Sequence, residues 1–101
     1  MKFILTESKM EQVVFKYLDN QDFIKVEKHG RIIFVNSIDD EFGQIRYIKD
    51  NGWCEINFDL VDEISSFFSL EKHDSEKIVS SWVGNTLQKK VSGTNLFRIY
   101  K

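Results

Sequence analysis

The stretch Ile48 to Phe58, IKDNGWCEINF, holds the residues best suited to covalent chemistry. Cys54 is the only cysteine, and Glu55 follows it directly. A thiol beside a carboxylate suggests a nucleophile, which needs a thiolate and a base aimed at the same atom. Asp39, Asp40 and Glu41 make the tightest acidic run, a candidate for Mg2+ or Ca2+. The run lacks the spaced oxygens and the glycine of a calcium loop, so it reads as solvated loop carboxylates. His29 and His73 are the only imidazoles. Neither lies in an H-x-H or H-E-x-x-H pattern, and one cysteine offers no pair for zinc. There is no G-x-S-x-G, no phosphate-cradling glycine loop and no G-x-G-x-x-G. The S-x-x-K match from Ser69 to Lys72 lacks the companion motifs of a β-lactamase-like site. No catalytic residue, cofactor, metal or small-molecule ligand is therefore assigned.

Those residues acquire positions from the elements around them. Met10, Val13, Val14, Tyr17 and Leu18 repeat as the stripe of an amphipathic helix. Thr6 can cap it, with Leu5 stapled onto Met10, or Ser8 and Glu11 can form a capping box. Asn20 marks its end. Phe23 to Val35 reads as a hairpin turning at His29-Gly30, with Ile24 opposite Val35, Val26 opposite Ile33 and Lys28 opposite Arg31. Asn51-Gly52 reads as a two-residue turn of a second hairpin. That register sets Ile45 against Phe58, Tyr47 against Ile56 and Lys49 against Cys54. Arg46 and Glu55 become diagonal neighbours.

The alternation of strand side chains answers the question Cys54 raises. Cys54 shares an apolar face with Ile45, Tyr47, Ile56 and Phe58, whereas Glu55 points the other way with Arg46, Ile48, Trp53 and Asn57. Thiol and carboxylate cannot act on one atom, so Cys54 reads as a small buried hydrophobe.

Beyond Asp59 the period lengthens. Leu60, Val61, Ile64, Phe67 and Phe68 mark a helix capped by Asp59. Ile78, Val79, Trp82, Val83, Thr86 and Leu87 mark a longer one, capped by Asp74 or Ser75 and closed by Gly93. The helical spacing of Phe67, Phe68 and Trp82 makes them core. Gly84 inside that helix, where glycine costs about 1 kcal/mol, implies a close approach of another helix or of the sheet, or a contact with a second copy. LFRIY at 96–100 reads as a short final strand. The expected fold is a single α+β domain over 1–101: an N-terminal helix, a four-stranded antiparallel meander of two hairpins, two C-terminal helices and the short final strand.

Composition bounds the function. A chain of 101 residues with net charge −2 buries one modest core and sets up no general field for phosphates. Lys89, Lys90, Arg98 and Lys101 read as a helix end and a charged tail, so nucleic acid is not expected. No apolar run nears the length of a membrane span, and MKFIL is too short for a signal peptide. A lone cysteine suits a reducing cytoplasm.

The opening KFILTESKMEQVVFKYL, through Thr6-Glu7-Ser8, resembles the start of small uncharacterised proteins of marine tailed phages and marine metagenomes. The resemblance covers about the first fifth of the chain. It implies an accessory protein made in an infected bacterial cytoplasm and carries no activity with it.

The reading that follows is a small non-enzymatic module for a protein partner or for self-association. Its interaction surface is expected at Trp53, Ile48, Arg46 and Glu55, on a sheet face left bare by the helices together with Ile32 and Phe34. The alternative is a small metal-dependent hydrolase or nucleic-acid-processing enzyme using Asp39, Asp40 or Glu55.

Overall fold

The computed structural model describes residues 7–36 and 43–98. The Thr6 cap, the Leu5 staple, the Ser8 side chain, the acidic run Asp39-Asp40-Glu41, residues 99–100 and Lys101 lie outside the described residues. Along the chain run α1 (Glu7–Asp19), β1 (Ile24–Lys28), β2 (Arg31–Val35), β3 (Ile45–Ile48), β4 (Trp53–Asn57), α2 (Phe58–Phe68), α3 (Lys72–Leu87) and β5 (Gly93–Phe97). The fold is α+β, with a five-stranded sheet in the order β1-β2-β3-β4-β5. The first four strands form an antiparallel meander, and β5 adds in parallel to β4, so the sheet is mixed.

The first hairpin has the expected register, Ile24 with Val35 and Lys28 with Arg31. His29 and Gly30 both take positive φ, 51° and 74°, the pair of conformations a two-residue turn demands. The second hairpin differs from expectation. Ile45 pairs with Ile56, Tyr47 with Cys54 and Ile48 with Trp53, leaving Lys49 to Gly52 as the loop. Gly52 alone among them has positive φ, and its N–H donates to Ile48 O. A two-residue turn at Asn51-Gly52 would need positive φ at both residues. Tertiary contacts hold the wider loop: Ser92 N donates to Gly52 O at 2.7 Å. The slip is by two residues, so every side chain keeps its face.

One sheet face carries the core. Val14 and Leu18 of α1, Ile32 and Phe34 of β2, Ile45, Tyr47, Cys54 and Ile56, then Val61, Ile64, Val79, Trp82 and Val83 form one cluster. Trp82 lies against Phe34 and Phe23, with ring centroids 5.2 and 5.9 Å away, and its indole N–H donates to Asp19 at 2.9 Å. Ile32 and Phe34 thus belong to the helix-covered face rather than the opposite one. Their pairing with Tyr47 and Ile45 decides this, because directly opposed residues share a face.

Local chemistry sets the helix ends differently from expectation. Phe58 opens α2 instead of ending a strand, and Asn57, not Asp59, is the cap, accepting from Asp59 N at 2.9 Å. Helix α3 begins at Lys72, ahead of Asp74 and Ser75, and Ser75 is buried against α2. It ends with Gln88 in the left-handed region, so Gly93 is free to start β5. The close approach at Gly84 comes from the chain leaving α3: a Cβ there would sit 3.1 Å from Lys89 O. The final strand starts three residues earlier than its apolar composition suggests, because its partner is β4 and the ladder begins at Trp53 with Gly93.

Candidate interaction surface

The opposite sheet face carries the residues expected to bind. Strand alternation places Arg46 and Ile48 of β3 beside Trp53 and Glu55 of β4, and the register pairs Arg46 with Glu55 and Ile48 with Trp53. Across β2 and β1 the same face continues through Ile33, Val26 and Ile24, and ends at Lys28 and Arg31. On the other side it continues through Gly93, Asn95 and Phe97 of β5. Ile33, Ile48 and Val26 are half-buried, and Ile24 is 41% exposed. Val35, by contrast, is buried, with Gly43 close beside it.

The four expected residues are brought together, and each is braced. Arg46 Nε lies 3.4 Å from Glu55 Oε1, and their side chains are 18% and 24% exposed. That distance makes an ion pair but not an aligned hydrogen bond, and Nε is buried with no hydrogen-bond partner among the described residues. The guanidinium lies over the Phe97 ring at 3.9 Å, a cation–π contact that fixes its plane. Trp53 is half-buried rather than free: its ring leans over Gly93, where an added Cβ would come within 2.7 Å of it. Phe97 and Gly93 were not legible as site residues. The sequence signal is only that both fall on alternate positions with Asn95, and nothing local says that β5 joins β4 in parallel.

Cys54 sits on the other face, fully buried under α3. Burial pushes its thiol up to about 12, only partly opposed by a hydrogen bond with Ser80, so the thiolate is suppressed. Ser80 also meets Thr94, Oγ to Oγ1 at 2.5 Å, tying α3 to β5 beside it. His29 and His73 are both exposed, one in the hairpin turn and one in the first turn of α3. Among the described residues no group of three or more His, Cys, Asp or Glu could hold a metal ion.

Two further surfaces were not anticipated. Phe67, expected in the core, is 69% exposed at the end of α2. It joins Phe68 and Tyr17 in a ring cluster with centroids 4.9 to 5.5 Å apart. Tyr17 donates to Glu63 at 2.7 Å, and partial burial with that carboxylate raises the phenol to about 12. Second, a polar groove runs between α1, α3 and β5, lined by Glu11, Phe15, Ser81, Asn85, Ser92 and Thr94 among others. Of the basic residues near the C-terminus, Arg98 stacks on Phe58 at 3.9 Å, and Lys90 accepts a hydrogen bond from the Tyr47 hydroxyl at its main-chain oxygen. No helix among the described residues is long and apolar enough to cross a membrane. Compared with protein-family models, curated proteins and solved structures, the chain matches none.

Proposed function

We propose that the protein is a small non-enzymatic interaction module, an adaptor, inhibitor or accessory protein acting in the cytoplasm, that engages a protein partner through the sheet face that no described helix covers. The observation that carries this reading is the face itself. Three helices lie on one side of the sheet, and no described helix covers the other. That other side presents Trp53, Ile48, Ile33, Val26 and Ile24 around the braced Arg46–Glu55 pair. An apolar surface rimmed by charge, with a large aromatic and an arginine near its middle, has the make-up of a protein-binding patch. Preorganisation supports the same reading: Arg46 is already held by Phe97 and Glu55, so little side-chain freedom is lost on docking. The accessory role agrees with the resemblance of the Thr6-Glu7-Ser8 opening. Within the enzyme alternative, Glu55 is engaged by Arg46, and no described observation favours it.

The experiment is capture from a bacterial lysate with immobilised wild type, Trp53→Glu, Ile48→Glu and, as control on α1, Val13→Glu. A partner retained by wild type and Val13→Glu but lost by both sheet variants is the expected result. Partners retained equally by all four, or a thermal stabilisation by Mg2+ or Mn2+ that Glu55→Gln removes, would overturn the reading.

A further inference from the structure

On the helix side of the sheet a cleft opens where the last turn of α1, the C-terminal half of α3 and the β1–β2 hairpin meet. Its volume is about 320 Å3, at the lower end of the roughly 300–1,000 Å3 usual for small-ligand pockets. Three aromatic side chains line it. Phe23, half-buried, is the most open, and the nearly buried Phe34 and Trp82 back it, with ring centroids 6.3 and 5.9 Å from its own. Two carboxylates stand with the rings, Asp19 and Asp22, against one cation, Lys25. One Asp19 oxygen accepts from the Trp82 indole N–H at 2.9 Å, which fixes that carboxylate against the rings. Asp22 is exposed, and no described residue pairs with its carboxylate.

We infer that this cleft binds an alkylated ammonium group, the head of a small organic cation. Two carboxylates and one ammonium leave its lining with a formal charge of −1, which repels anions and favours a cation. Asp19 also lies in the last turn of α1, at the end of the helix dipole that attracts positive charge. Aromatic rings add their own attraction for a cation, and more so where water is excluded. The rings also select among cations. A primary ammonium is strongly hydrated and brings three N–H donors, for which the rings offer no lone pair. An alkylated head carries the same charge with fewer donors or none, and its methyl groups bury against the rings. A metal ion fits less well, since no group of three or more His, Cys, Asp or Glu among the described residues could hold one. A free small molecule and a methylated lysine of a partner protein carry the same head. The site goes beyond the proposed docking face and is independent of it, because Phe34 and Trp82 belong to the core cluster on the opposite side of the sheet.

Tryptophan fluorescence at constant ionic strength tests it. Trp53→Phe leaves Trp82 as the sole indole, and choline chloride titrated into that protein is expected to change its emission saturably. The uncharged isostere of choline, with tert-butyl in place of trimethylammonium, is expected to bind about tenfold more weakly or less. Asp22→Asn keeps a residue suited to the left-handed backbone there, φ 53°, and Asp19→Asn keeps an acceptor for the indole. Each is expected to weaken choline binding by about tenfold. Lys25→Gln, which removes the competing cation, is expected to tighten it. A peptide carrying trimethyl-lysine distinguishes the sources: binding much tighter than choline assigns the head to a partner protein, and equal binding assigns it to a free small molecule. No saturable change with either probe overturns the inference. So does equal binding of choline and its uncharged isostere, or an affinity that neither Asp variant alters while circular dichroism shows both folded.

Discussion

Ser65 and Ser75 meet hydroxyl to hydroxyl, 2.8 Å apart, in the buried seam between α2 and α3. Each satisfies the other where water does not reach. Removing one leaves its partner buried without that bond, which costs about 1–3 kcal/mol, whereas removing both is far less costly. Ser75→Ala is therefore expected to destabilise by about 1–2 kcal/mol, and the double variant Ser65→Ala/Ser75→Ala by less than the sum of the singles. Urea unfolding of the four proteins measures the coupling. Strict additivity would mean that the pair contributes nothing as a pair.

Gly52 and Gly30 separate two costs of a positive φ. Both have nearly the same φ, 73° and 74°. A Cβ at Gly52 would sit 2.8 Å from Ser92 Oγ and 3.2 Å from Lys90 O, while one at Gly30 would meet nothing within 4 Å. Gly52→Val is expected to cost more than about 1 kcal/mol from backbone strain alone, with the steric term on top. Gly30→Ala is expected to cost clearly less than Gly52→Ala. Equal losses in denaturant midpoint would show that the Ser92 contact does not constrain the turn.

Capping distinguishes Asn57 from its neighbour. Asn57 accepts the hydrogen bond from Asp59 N, so Asn57→Ala is expected to cost about 1 kcal/mol. Asp59 is exposed and acts only through the helix dipole, so Asp59→Ala is expected to cost a few tenths of that. Thermal unfolding of the two variants gives the order directly. The reverse order would restore Asp59 as the cap.

Two raised acids make stability fall at alkaline pH. The Cys54 thiol moves from an ordinary 9.0 to about 12 and the Tyr17 phenol from 10.0 to about 12, both mainly by burial. Each is held protonated by the fold, so its contribution is complete below the ordinary value. It drains away as pH climbs from there towards the folded value. Stability is expected to decline from about pH 9, and Cys54→Ala should flatten the first part of that decline. Correspondingly, a neutral alkylating reagent at pH 7 should label Cys54 only through unfolding, at a rate that rises with denaturant. Fast labelling of the native protein would contradict the buried thiol.

What the sequence determined by itself was local and periodic. The stripe from Met10 to Leu18 specified α1, and His29-Gly30 specified a turn whose two positive φ angles set one register. Alternation put Cys54 and Glu55 on opposite faces and gathered Arg46, Ile48, Trp53 and Glu55 on one, a result that survives a slip of two residues. What tertiary structure alone decided was long-range. The loop at Lys49–Gly52 widened because Ser92, forty residues on, donates to Gly52. Ile32 and Phe34 joined the core because β2 pairs with β3, and the joint register of two hairpins is not encoded in either turn. Phe67 kept a helical spacing yet stayed exposed, since spacing states a direction around the helix and not whether another element arrives there. The parallel docking of β5 is the largest such effect. It placed Gly93 under Trp53 and Phe97 under Arg46, through a crossover made of α2 and α3, the long connection that a parallel neighbour requires.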